Sequence, residues 1–200
     1  MKRMSLILIL LIFPIVAQEE ISFYAKKMQV SQDGALIELT GEALLQLDAF
    51  TLYAQSISIQ GTTQRTLQAQ TDVKVKRTQN EAQELTSNHL HYAQIKSELR
   101  AWGNVQFKDD NEEILITASS VTFVETERIW RFEGNVQMNG KDFSTQSHIL
   151  LFHEEAQMLE LHSQVTLIYD GQQFEAEFIL FHLETKEITM EHLHRGTISL

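Results

Sequence analysis

The sequence predicts an all-β protein in which two sheets face each other and the chain is built from repeats of about thirty residues. Three observations predict it: a short motif recurs at near-constant spacing, apolar residues alternate with polar ones around each copy, and the only proline, Pro14, lies near the N-terminus. Long strands are therefore free to form, with no missing N–H to interrupt their pairing.

The four residues GNVQ occur twice, at Gly103 to Gln106 and at Gly134 to Gln137. A small or polar residue followed two positions later by an apolar one extends this pair to six copies. They are Gly41-Glu42-Ala43, Thr71-Asp72-Val73, Gly103-Asn104-Val105, Gly134-Asn135-Val136, Ser163-Gln164-Val165 and Gly196-Thr197-Ile198, at intervals of 30, 32, 31, 29 and 33 residues. Apolar residues around these copies keep a period of two, as in Leu99, Ala101, Val105, Phe107 and in Trp130, Phe132, Val136, Met138. That period places them on one face of a strand. A glycine in mid-strand weakens pairing unless it permits a bend or a bulge, so the strands are expected to kink at Gly41, Gly103 and Gly134.

A second row falls between the copies of the first: Ala25/Met28/Val30, Ala54/Ile57/Ile59, Ser87/Leu90/Tyr92, Ala118/Val121/Phe123, Thr145/His148/Leu150 and Ala176/Ile179/Phe181. His148 is the one member standing where the others are apolar. These segments are rich in β-branched and aromatic residues and are separated from the first row by turn sequences such as Asp109-Asp110-Asn111, Asn139-Gly140-Lys141 and Asp170-Gly171-Gln172. A local helical reading exists at Asn80 to Leu85 and at Glu154 to Leu159, but the spacing makes strands the main architecture, on the order of a dozen to sixteen of them.

Residues 1–17 read as a signal peptide. Lys2 and Arg3 precede an apolar stretch from Met4 to Ala17, too short to cross a bilayer comfortably, and Ala17 is a small residue where a peptidase would cut. Cleavage is favoured over the other reading, an uncleaved anchor; both export the domain formed by residues 18–200. Without Lys2 and Arg3 the chain has 14 basic against 27 acidic residues. A charge balance of that sign excludes nucleic acid as the expected partner. The absence of cysteine removes disulfides, thiolate metal sites and a thiol nucleophile.

The G-N-V motif, the turn after it and the apolar-x-A-x-x-apolar-x-apolar strand that follows, repeated behind a signal peptide, resemble the OstA/LptA family of periplasmic lipopolysaccharide-transport proteins. The opening Phe23-Tyr24-Ala25-Lys26-Lys27-Met28 through Ile37-Glu38-Leu39-Thr40-Gly41-Glu42-Ala43 is similar to the way that family begins. The resemblance covers residues 21–200, with Thr71 and Ser163 in place of glycine and His148 in place of an apolar residue. It implies a twisted, open two-sheet β-jelly roll whose inner groove takes the acyl chains of lipopolysaccharide or a related glycolipid. It implies as partners LptC-like and outer-membrane LptD-like components of a transport bridge. An inner-membrane-tethered LptC-like component and a structural envelope β-solenoid are the alternatives.

A carrier is physically reasonable, since each CH₂ returned to water costs about 0.8 kcal/mol. The residues expected to line a groove between the sheets are Val73, Val105, Phe107, Phe123, Phe132, Val136, Met138, Leu150, Val165, Ile179 and Phe181. Each is also a residue that a two-sheet core would need. The mature chain begins on a second-row half-unit and ends on a first-row one, so head-to-tail stacking through edges bearing Ala25, Met28, Gly196 and Ile198 would complete one unit.

Other motifs lead elsewhere and are set aside. Gly134 to Lys141 has five residues between its glycines and Asp142 where a phosphate loop needs Ser or Thr. The pairs His89/His91 and His192/His194 have chelating spacing on a strand but no third ligand, and the run Asp109 to Glu113 reads as a solvated turn. No catalytic motif is present, so neither enzyme activity nor a cofactor or metal is expected. A polysaccharide lyase or lectin would need one irregular repeat crowded with charge.

Overall fold

The computed structural model describes residues 22–62, 64–78 and 82–197; the signal-peptide reading and Ile198 lie outside the described residues. Among the described residues thirteen strands follow one another: β1 (Ser22–Tyr24), β2 (Lys27–Val30), β3 (Leu36–Gln46), β4 (Phe50–Gln60), β5 (Thr66–Arg77), β6 (Gln83–Ala93), β7 (Glu98–Asp109), β8 (Ile114–Val124), β9 (Ile129–Asn139), β10 (Phe143–His153), β11 (Met158–Tyr169), β12 (Gln172–His182) and β13 (Ile188–Thr197). A 3-10 turn at Gln94–Lys96 is the one helical element among the described residues, and both local helical readings give way to strand from Gln83 and from Met158. From β3 to β13 every strand pairs antiparallel with its sequence neighbours, while β1 and β2 lie in succession along β3. The result is one open 13-stranded sheet.

Each long strand is two half-strands joined at a bulge. Along β7, Trp102 pairs with Ser120 and Val105 with Ala118, so Gly103 and Asn104 together oppose the single residue Ser119. Both residues are left-handed, with φ of 78° at Gly103 and 54° at Asn104; the second GNVQ repeats this with 79° at Gly134 and 49° at Asn135. Glycine adopts that conformation freely and asparagine more readily than most other residues. The motif therefore encodes two successive left-handed residues that turn the strand. A side chain at Gly134 would also strike Ser119, whose Cβ would lie 2.9 Å from the added carbon. Glu42, Asp72 and Gln164 take the asparagine position, and Thr71 and Ser163 take the glycine position at φ of 63° and 64°.

The bulges align from strand to strand into a spine, and the sheet folds over along it. One layer holds the first halves of the odd strands and the second halves of the even ones; the other layer holds the remainder. Side chains that alternate inward from both layers make a single core. Rings from the two layers meet across it: Phe107 lies 4.7 Å from Trp130 and Phe50 lies 5.0 Å from Tyr92, centroid to centroid. The two facing layers are thus halves of one ladder, which accounts for an all-β, twisted, open two-layer fold from a thirty-residue repeat, one hairpin per repeat.

At the inside of the bend space is short, and small residues pair there with the first apolar residue after the bulge: Ala54 with Ala43, Ser87 with Val73, Ala118 with Val105, Ser147 with Val136 and Ala176 with Val165. This register corrects the second row. Its fifth member is Ser147/Leu150/Phe152, all buried, and not Thr145/His148/Leu150. His148 is exposed at the bulge, in the place that Ser119 takes in β8, so it replaces no apolar residue. The sixth first-row copy is corrected too: in β13 the left-handed residue is His192 (φ 52°), whereas Gly196 pairs with Phe174 beyond the bulge. The two buried serines donate to carbonyls two residues on, Ser87 Oγ to His89 O and Ser147 Oγ to Ile149 O, each at 3.0 Å, and so satisfy themselves within the bend.

Candidate functional site

The candidate site is the interior between the layers together with the side of the fold away from the spine. There the hairpin turns form two rows. One row holds the turns after β3, β5, β7, β9 and β11; the other holds those after β4, β6, β8, β10 and β12. Successive turns within a row are tied backbone to backbone, as in Glu125 N–H to Ser97 O (3.1 Å), Glu154 N–H to Arg128 O (3.1 Å) and Leu183 N–H to Gln157 O (2.8 Å). Among the described residues no strand crosses between the rows, so this side is a mouth whose two lips are joined through the spine behind them.

All eleven residues expected along the interior are gathered in it. Phe107, Phe132, Val136, Met138, Leu150, Ile179 and Phe181 are fully buried, and Val73, Val105, Phe123 and Val165 nearly so. They belong to one cluster that runs without a break from Leu39 in β3 to Phe181 in β12. The interior is filled by these side chains. A cavity of about 20 Å³ lies between the lips, with Phe50, Val75, Tyr92, Leu99, Phe123 and Trp130 on its walls. That is room for about one water molecule, so an alkyl chain enters there only if the layers part; a more open pocket of about 230 Å³ lies farther along the mouth, between Glu112, Ile114 and Phe143 on one lip and Leu183 and Lys186 on the other.

The lips are held together by a buried polar chain that the sequence reading did not identify. Arg77, at the end of β5, reaches across the mouth to Glu154, just after β10: Arg77 Nη1 donates to Glu154 Oε1 at 2.6 Å and to Gln83 Oε1 at 2.8 Å. Gln83 Nε2 donates to Asp109 Oδ2 at 2.8 Å. Trp130 Nε1 donates to Glu154 Oε1 at 2.7 Å, and Arg128 Nη2 stands 2.9 Å from Glu154 Oε2. Arg77 is 8% exposed and Glu154 7%, so their attraction acts in a poorly screened setting. Asp109, expected in a solvated turn, is buried at 2%, because its carboxylate accepts Gln83 and the N–H groups of Asn111 and Glu112. The rest of that run, Asp110 to Glu113, is exposed.

A signal for these residues was present. Arg77 continues the inward alternation Val73, Val75; Asp109 continues Val105, Phe107; Glu154 continues Leu150, Phe152. A charge one step beyond a buried pair, on strands from both rows, marks ends that meet. Pairwise periodicity within one strand cannot show which partner lies across the fold.

At the two ends of the ladder the inward row loses its cover. Phe23 pairs with Leu45 and Met28 with Leu39, so both face inward, yet they are 44% and 46% exposed. At the other end Met190 pairs with Ile179 and Leu193 with Ala176, and Leu193 is 56% exposed. Ala25 sits at the bend of this first edge, between Tyr24, opposite Leu44, and Lys27, opposite Thr40. The histidine pairs are separate from the interior. His89 stacks on Trp102 at 5.4 Å, and His194 Nε2 lies 3.1 Å from Glu177 Oε1. The left-handed turn at His192 breaks the alternation that would align it with His194. Among the described residues no group of three or more His, Asp or Glu is placed to hold a metal ion, and no helix is long and apolar enough to cross a membrane.

No family model matches the chain, and no curated protein matches it. Among solved structures the chain is similar to LptH, described as the LptA-homologous periplasmic component of the lipopolysaccharide transport device of Pseudomonas aeruginosa. The similarity has a TM-score of 0.26 at 7% identity, over 87% of this chain and 83% of that one.

Proposed function

We propose that the protein is a periplasmic carrier that shields the acyl chains of lipopolysaccharide or a related glycolipid on the way from the inner to the outer membrane. The observation that carries this reading is the unbroken apolar interior between layers that are joined on one side only. Parting the lips about the spine would expose a continuous apolar track without breaking a single strand pairing. Val73, Val105, Phe107, Phe123, Phe132, Val136, Met138, Leu150, Val165, Ile179 and Phe181 are the residues such a track would present. Each CH₂ laid along it would regain about 0.8 kcal/mol, so the occupant and the parted layers replace one another's contacts.

The uncovered ends suit a bridge of several molecules, either copies of this chain or LptC-like and LptD-like partners. β13 and the β1–β2 pair run in opposite directions within the ladder, so the first edge of one copy can add to the last edge of another in the antiparallel sense that every internal pair has. Phe23, Met28 and Val30 would then meet Ile188, Met190 and Leu193, which continues the inward row across the joint.

Photocrosslinking from a reactive residue placed at Phe132 or Val136 in living cells tests the carrier reading. Adducts with a glycolipid are expected. Adducts with protein alone would favour a structural envelope role and overturn transport.

A further inference from the structure

The polar chain across the mouth does more than close it. Glu154 neutralises two guanidinium groups at once, Arg77 at 2.6 Å and Arg128 at 2.9 Å, while Arg128 Nε stands only 3.8 Å from the exposed Glu155. The Arg77 guanidinium also lies over the ring of Phe123, 4.8 Å from its centroid, on the wall of the apolar cavity between the lips. Parting the lips without replacing Glu154 would leave the Arg77 guanidinium against an aromatic wall without its paired carboxylate, the nearest remaining carboxylates being Asp109, reached only through Gln83, and Glu125 on the cavity wall. Glu154 itself sits in a turn whose backbone is fixed, its N–H bonded to Arg128 O at 3.1 Å and its carbonyl accepting Gln157 Nε2 at 2.8 Å. Its side chain can therefore rotate out to water while the turn stays in place.

We infer that Arg77 and Arg128 form the receiving site for the acid group of an anionic long-chain amphiphile, which takes the place of Glu154 as its alkyl tail enters between the lips. The shared chemistry is a phosphate or carboxylate on an alkyl chain, and the planar forks of two arginines accept either. The inference rests on the carrier reading and adds selectivity to it: a neutral amphiphile of equal tail length opens the mouth without compensating Arg77 and binds less well.

Binding of dodecyl phosphate, dodecanoate and the uncharged dodecyl maltoside to the full-length protein, each below its critical micelle concentration, tests it by calorimetric titration. Both anionic probes are expected to bind about tenfold tighter than the neutral one. Glu154→Gln, which removes the competing carboxylate, should tighten the anionic probes by about another tenfold and leave the neutral one nearly unchanged. Arg77→Met should abolish the preference. Arg128→Gln, at the exposed lip where folding is safe, should reduce it. A preference for the phosphate alone would assign the site to phosphate headgroups, and equal binding of both anions to any alkyl acid. Equal binding of anionic and neutral probes by the wild type, or a preference that survives both arginine substitutions, overturns the inference and leaves the carrier reading standing. Binding of no probe by any form overturns both.

Discussion

Thr71→Gly should stabilise the protein, although it removes a β-branched residue from a strand. Thr71 occupies the glycine position of the repeat at φ 63° and is followed by Asp72 at 54°. A left-handed L-residue costs about 1–2 kcal/mol, and a β-branched one lies at the upper end. Glycine removes that strain and adds about 0.5–1 kcal/mol of unfolded-chain entropy. The Thr71 side chain is exposed and contributes no core contact, so the net gain is about 0.5–1 kcal/mol. For a chain of this size that corresponds to about 2 °C in Tm. The reciprocal change, Gly134→Thr, has the opposite sign and a larger size. It meets the same backbone cost, and its Cβ would fall 2.9 Å from Ser119 Cβ and 2.7 Å from its Oγ, so the loss should be about 2–3 kcal/mol. Urea unfolding with an unchanged m-value measures both. A Thr71→Gly variant no more stable than the wild type would refute the view that the first residue of the motif is selected for its left-handed backbone.

The remaining predictions concern the core, the mouth and the ends. Phe107→Ala, which removes a fully buried ring in contact with Trp130 and Phe132, should cost about 3–5 kcal/mol by chemical denaturation. Glu154→Ala strands Arg77 and should cost a similar amount, about 3–5 kcal/mol, whereas the double variant Arg77→Met with Glu154→Leu should recover most of it; a double-mutant cycle without coupling would show that the bridge across the mouth does not form. Deleting Gly196 to Leu200, or substituting Met28→Lys at the opposite edge, should abolish concentration-dependent self-association in sedimentation velocity, and Met28→Lys, at a half-exposed site, should shift stability by no more than about 0.5 kcal/mol. Oligomers that persist in both variants would exclude the proposed head-to-tail joint.

Much of the architecture was legible because it repeats. The pair Gly-Asn is a direct statement about two backbone conformations, and its copies located five of the six long odd strands' bends. The alternation of apolar residues then identified which face turns inward, and the burial of all eleven interior residues follows from it. The errors came where a copy is defined by register and its residues are ambiguous. Thr145 and Ser147 are both small, and only the pairing of Ser147 with Val136 places the bend. In β13 the turn is carried by His192, with none of the usual signals, while Gly196 offered a false one. The mouth was the least legible part. Arg77 and Glu154 are 77 residues apart, and their meeting depends on how far the twisted layers advance relative to each other, a quantity no single strand encodes.

The regular ladder has a consequence for size. One repeat is one hairpin, and two strands add roughly 10 Å along the ladder. Gaining or losing a repeat therefore changes the length of the molecule by a fixed step and leaves the direction of both terminal edges unaltered. A protein of this design can have its reach adjusted in whole hairpins, by duplication or loss of about thirty residues, while the cross-section of its interior and the geometry of its joints remain the same.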